Sequence, residues 1–199
     1  MKRKHFLQSV LGASAFLGLP FTALGNDSTT IQELINNTKI DVKGTMFGFA
    51  ADPISKVRVG IIGLGNRGNT LLEMFQYLVE NEMAEVIALS DISEEKVTKA
   101  AEKLAVWQSK KPVLYHKSKT EWEKLVKRDD IDLVIIATPW DLHTPMAIYS
   151  MENGKHVGSE VPVASTIEDC WKIIETAECT QKHCMMMENC NYNEEELWV

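Results

Sequence analysis

Basic residues are scarce relative to acidic ones in this chain. There are 21 Lys and Arg against 28 Asp and Glu, a formal net charge of −7 over 199 residues. No basic stripe interleaved with aromatics offsets that balance, which argues against nucleic acid as a partner. Cysteine is sparse as well. Cys170, Cys179, Cys184 and Cys190 all fall late in the chain, without CxxC or Cys/His finger spacing. That pattern gives no metal site and predicts buried or partly buried free thiols. No apolar run is long enough for a stable membrane span, and there is neither a solenoid-length repeat nor a low-complexity tract. A GxSxG turn is absent, so a serine hydrolase has no support. What is present, 45% hydrophobic and 25% charged residues, is an ordinary globular composition with length for one full domain plus tails.

The amino terminus differs in kind from the rest. Met1-Lys2-Arg3-Lys4-His5 is basic, residues 6–19 are mostly apolar, and Ala23-Leu24-Gly25 offers a small-residue cleavage site. Residues 1–25 therefore read as an export signal, which places the protein in the periplasm or at the cell surface. Arg3-Lys4-His5-Phe6-Leu7-Gln8 resembles a twin-arginine leader whose second arginine has become lysine, and that route carries folded proteins. No cysteine lies in the leader, so a lipid anchor is disfavoured. The alternative is an uncleaved amphipathic segment on a cytoplasmic protein. Residues 26–55 are polar and turn-rich, an arm with one short helical candidate at 31–37.

From residue 56 onward the periods alternate. Strand candidates are 57–62, 85–90, 113–115, 133–138, 156–159 and 184–187. Helical stretches lie at 69–80, 94–108, 120–127, 145–152 and 167–181. Ser93 with Glu94 and Glu95 reads as a helix start, and Asn153-Gly154 as a helix stop. Alternation at these lengths predicts an α/β fold, a doubly wound parallel sheet over residues 56–190. The first strand empties into Gly63-Leu64-Gly65-Asn66-Arg67-Gly68, and the second closes on Asp91. Strand, glycines, helix, strand and acid come in the order of a Rossmann dinucleotide site. Gly63 permits the tight turn, Gly65 lets a pyrophosphate approach the backbone, and Gly68 lets the helix pack closely. Asp91 can bond both ribose hydroxyls and would repel a 2′-phosphate, so the cofactor expected is NAD, not NADP. A glycine-rich turn without a nucleotide is the alternative.

Ligands of such sheets sit beyond the carboxyl ends of the strands. That rule nominates Asn66 and Arg67 after the first strand, Asp91 after the second, and Thr138-Pro139-Trp140-Asp141-Leu142-His143 after the fourth. It adds Ser159-Glu160-Val161-Pro162 after the fifth and Glu188-Asn189 after the sixth. Arg67 can grip a phosphate with paired N–H donors, and Asn189 can bond a carboxamide. Taken singly, Trp140 reads more readily as core, Glu160 equally as a solvated strand end, and His143 equally as an exposed helix-start residue.

The runs Ala137 to His143, Gly154 to Pro162 and His183 to Asn189, together with the glycine turn, resemble the Gfo/Idh/MocA oxidoreductase superfamily. They are most similar to its glycoside hydrolase family 109 branch, the NAD-dependent α-N-acetylgalactosaminidases. The resemblance covers residues 56–192. It implies NAD contacts from Asn66, Arg67, Asp91, Trp140, Asp141, Leu142, His143, Glu160, Val161 and Asn189. The wider superfamily has Glu-Lys-Pro where this chain has Glu160-Val161-Pro162, and that lysine assists proton transfer at a substrate hydroxyl. Val161 cannot bind a proton, which disfavours a plain sugar dehydrogenase and matches the hydrolase branch.

For that branch the resemblance implies hydrolysis through transient oxidation. The sugar loses a hydride from C3 to NAD, and the ketone formed acidifies the C2 proton. A base removes that proton, the glycosidic oxygen leaves C1, water adds there, and C3 regains its hydride. The resemblance further implies that residues 191–199 begin a larger substrate domain carrying the sugar contacts, the catalytic residues and an oligomer surface. The chain is accordingly expected to be an amino-terminal fragment, inactive alone, with a glycan or amino-sugar substrate for the complete protein. A sugar oxidoreductase and a non-catalytic nucleotide-binding module are the alternatives.

Overall fold

A computed structural model of the chain describes residue 46 and residues 48–188. The expected export signal, the helical candidate at 31–37, Asn189, Cys190 and residues 191–199 lie outside the described residues. One sheet holds β1 (Val57–Ile62), β2 (Ala84–Ser90), β3 (Val113–Tyr115), β4 (Leu133–Ile136), β5 (His156–Ser159) and β6 (Cys184–Met186). Its order is β3-β2-β1-β4-β5-β6, and every pairing between these strands is parallel. The connections carry α1 (Asn66–Glu80), α2 (Glu94–Leu104), α3 (Trp122–Val126), α4 (Trp140–Glu152) and α5 (Ile167–Thr180). This is the doubly wound parallel sheet that the alternation of periods predicts. The chain winds outward one way from β1 and the other way from β4, so a crevice opens between those two strands at their carboxyl ends.

Strand alternation splits the core in two. Val134 and Ile136 of β4 meet Leu125 and Val126 of α3, Met146 and Met151 of α4, and Ile173 of α5. Ile135, between them, points to the other face with Val59 and Ile61, against Leu71 and Leu72 of α1 and Val97 and Leu104 of α2. Each such side chain, once buried, stabilises the fold by about 1.5–3 kcal/mol. The register of β1 on β2 slips from Val59 opposite Val86 to Gly60 opposite Ala88. Ile87 and Ala88 consequently both join the α3–α5 face. Beside this bulge β3 reaches only as far as Ala88. The Gln108 side chain fills the shortfall: its Oε1 accepts from Val86 N at 2.8 Å and its Nε2 donates to Val86 O at 3.0 Å.

Several boundaries differ from the sequence reading for identifiable reasons. The stretch expected as helix to residue 108 stops at Leu104, because Gln108 is spent on β2. The helix expected from 69 starts at Asn66, and the one expected from 145 starts at Trp140 with Pro145 inside it. Strands expected to 138 and 187 end at Ile136 and Met186, and the helix expected over 120–127 spans only Trp122–Val126. Cys184 is partly buried, and burial pushes its thiol up to about 11. Cys170 and Cys179, expected to be buried or partly so, are exposed on α5. The described end of the arm lies on the domain: Met46 packs against the α3–α5 core and the Phe49 ring sits 5.0 Å from that of His183. Among the described residues no helix is long and apolar enough to cross a membrane.

Candidate functional site

At the end of β1 the backbone turns through Gly63, whose φ is +89°. A Cβ at Gly63 would stand 2.5 Å from Ala137 O, and one at Gly68 would run into the Gly63 carbonyl. Those two glycines are demanded by the protein's own packing. Gly65 is different. No heavy atom lies within 4 Å of where its Cβ would be, so the space over it is open to a ligand backbone. α1 follows with Gly65 at its N-cap, no side-chain cap and no acid in its first turn. By contrast Ser93 caps α2 and Thr166 caps α5, each with two acids in the first turn. The amides that open α1 thus keep their positive end for an anion. Asn69 braces the turn from below, its Nδ2 donating to Leu64 O at 2.7 Å and Gly65 O at 3.1 Å.

Asp91 stands beside this turn. Its Oδ2 accepts from Leu64 N at 2.7 Å and its Oδ1 from Ser93 N at 2.9 Å. A carboxylate has about four acceptor positions, so capacity is left for ribose hydroxyls. The glycines, Asn66, Arg67 and Asp91 therefore gather at one end of the crevice, as expected of a dinucleotide's adenosine and phosphate portion.

The other end is built by the loops after β4 and β5. Trp140 is 67% exposed, and Asp141, Leu142 and Val161 are exposed as well. Glu160 reaches across the crevice, its Oε1 accepting from Arg67 Nε at 2.6 Å. This ion pair joins a residue of the phosphate end to one of the opposite loop, and neither partner alone predicts it. His143 is not the exposed helix-start residue that the sequence offered as one option. It is 1% exposed, with Nδ1 2.8 Å from Pro162 O and Nε2 2.7 Å from Thr138 O. Its ring is turned into the protein. Thr144, which the sequence reading passed over, donates from Oγ1 to Val163 O at 2.9 Å. The signal for it was a hydroxyl next to Pro145 inside an apolar helical period.

The Gfo/Idh/MocA profile, described as an oxidoreductase family with an NAD-binding Rossmann fold, matches residues 57–188. The chain belongs to that family. Its relatives include an alpha-N-acetylgalactosaminidase of Shewanella oneidensis, 42% identical over 197 residues, 99% of this chain. A glycosyl hydrolase family 109 protein of Shewanella sp. strain ANA-3 is 41% identical over the same length. The chain spans 41% of the length of both relatives. Among solved structures, the WlbA dehydrogenase of Chromobacterium violaceum in complex with NADH and UDP-GlcNAcA superposes with a TM-score of 0.64. The match is 26% identical and covers 75% of this chain and 40% of that one. The likeness to family 109 read from the motifs is thereby upheld. NAD is the cofactor of the fold, and the open space at Gly65, the uncapped α1 and the placed Asp91 fit it.

Proposed function

We propose that this chain forms the NAD-binding half of an exported glycosidase that cleaves α-N-acetylgalactosaminides by transient oxidation at C3, elimination and water addition. The observation carrying this reading is the 42% identity to an alpha-N-acetylgalactosaminidase over nearly the whole chain. Val161 supports it, since an exposed valine stands where a dehydrogenase of this family would hold its proton-transferring lysine. NAD, when bound, supplies reversible hydride acceptance. The chain's own residues bind and orient: Gly63, Gly65, Asn66, Arg67 and Gly68 hold the pyrophosphate, and Asp91 the adenosine ribose. Trp140, Asp141, Leu142, His143, Glu160 and Val161 form the stretches around the nicotinamide, and the family likeness assigns Asn189 a cofactor contact as well. The basic-then-apolar residues 1–25 support export to the periplasm or cell surface.

Because the hydride returns to the sugar, the complete protein should release aryl alcohol from an aryl α-N-acetylgalactosaminide without net accumulation of NADH. Steady growth of NADH absorbance on adding sugar, with no glycoside cleavage, would instead establish a sugar oxidoreductase. The 199-residue chain alone should bind NAD and leave the glycoside intact.

A further inference from the structure

His143 is fully buried, yet it is a polar ring among backbone carbonyls, at the boundary between two loops that face the crevice. β4 and β5 run paired until Glu160 N donates to Ile136 O at 2.9 Å. Beyond that bond the chains part, one into Thr138-Pro139-Trp140 and the other into Val161-Pro162-Val163. The ring of His143 spans this gap. One nitrogen meets Thr138 O at 2.7 Å and the other meets Pro162 O at 2.8 Å. An N–H on the ring donates to at least one of these carbonyls, and a doubly protonated ring donates to both. Thr144 Oγ1 makes a parallel tie, to Val163 O at 2.9 Å. Two consecutive residues of α4 thus moor two consecutive residues of the β5 loop, Pro162 and Val163, just beyond Val161 and Glu160, whose carboxylate is itself held by Arg67 at 2.6 Å.

We propose that His143 is a positioning residue: its buried ring fixes the β5 loop against the end of β4 and so seats Glu160 and Val161 for the nicotinamide half of the dinucleotide. The inference rests on the reading of this crevice as an NAD site. It deepens that reading by assigning to His143 an action through the loop and none through direct contact of its ring with the cofactor. A pure packing role would lower stability and weaken all ligands alike. A mooring role weakens only what the moored loop touches. AMP is held by the glycine turn and Asp91, at the far end of the crevice, and serves as the internal control.

The experiment measures NAD and AMP dissociation constants by calorimetry on the protein and on two variants. His143→Phe keeps ring volume without donors, and His143→Gln keeps an N–H. Expected is a loss of about tenfold or more in NAD affinity for H143F with AMP within about twofold, and a partial recovery in H143Q. Equal weakening of NAD and AMP, or unchanged NAD binding in H143F, would overturn the proposal. Should H143F fail to fold, Thr144→Val removes the parallel tie at nearly constant shape. It should show the same NAD-selective loss at smaller size, and unchanged NAD affinity there would sink the idea. Absence of NAD binding by the unaltered protein would overturn the cofactor reading itself, an outcome separate from any result on the variants.

Discussion

At Gln108 a side-chain amide stands where a longer β3 would have run. Val86 is 1% exposed, so its N–H and C=O have no water to turn to if that amide goes. Gln108→Leu should therefore cost about 1–3 kcal/mol, the penalty for stranding a buried polar pair, with no change in NAD affinity. Denaturant melts paired with NAD titration would show it, and an undiminished melt would refute it. Asp91 carries a different obligation. It holds two amides of its own chain and still presents acceptor capacity to the crevice. Asp91→Asn keeps the shape and removes the charge, so NAD affinity should fall about tenfold while that for NADP holds or rises. Parallel titration with both dinucleotides decides the matter. Equal losses for both would mean that Asp91 serves the turn alone.

At the scale of elements, the loop from β3 to α3 is organised by one carboxylate. Glu121 accepts His116 N and Lys117 N, both at 3.0 Å, and the Lys124 ammonium at 2.9 Å. These bonds hold its carboxyl at about 2, well below its ordinary value, with the lysine bond the largest cause. A depressed native value means that the contribution is whole above the unfolded value, about 4.3, and is lost as pH falls from there toward 2. Glu121→Gln should lower the melting temperature at pH 7, and the gap to the unaltered protein should shrink on acidification through that window. A gap constant with pH would assign the loss to packing. Arg58 and Asp132 make a comparable tie at the amino ends of β1 and β4, with bonds of 2.6 and 2.9 Å that hold the Asp132 carboxyl below its usual range.

The elements also show how far the sequence could be read. Order and type of strand and helix were legible because apolar periods of 2 and 3.6 alternate without ambiguity from residue 57 on. The start of α4 was not. Pro145 ordinarily costs a helix interior about 3 kcal/mol and so marks a first turn. Here the preceding turn is held from outside, by the His143 and Thr144 bonds to the β5 loop, and local pattern carries no trace of a partner nineteen residues away. The same limit hid the Arg67–Glu160 pair: each residue was nominated, but their meeting depends on strand order. Gln108 was read as helix because its periodicity fits one, whereas its role follows from a bulge in β2 that only pairing with β1 reveals. For the candidate site, the glycines and Asp91 were legible as a set because their spacing is set within one strand–helix–strand unit.

For the molecule as a whole, ligand and fold are linked. NAD present at a hundred times its dissociation constant should stabilise the protein by about 2.7 kcal/mol, a rise in melting temperature of roughly 5–10 °C. Scanning fluorimetry across an NAD series checks this, and a flat series would contradict a site already formed in the folded chain. The sheet divides the core into two clusters served by different helices, yet the crevice draws on both, α1 from one face and α4 from the other.

Gly68 presses α1 against the Gly63 carbonyl through an atom that is not there. The seat proposed for phosphate is thereby gauged by the radii of touching atoms, a ruler indifferent to ionic strength and pH. The loop at the opposite end is tied to that seat by the Arg67–Glu160 ion pair, a spring whose stiffness salt can dial down. A dinucleotide lying across both would rest between a rigid jaw and a compliant one, and would let go at the compliant end first.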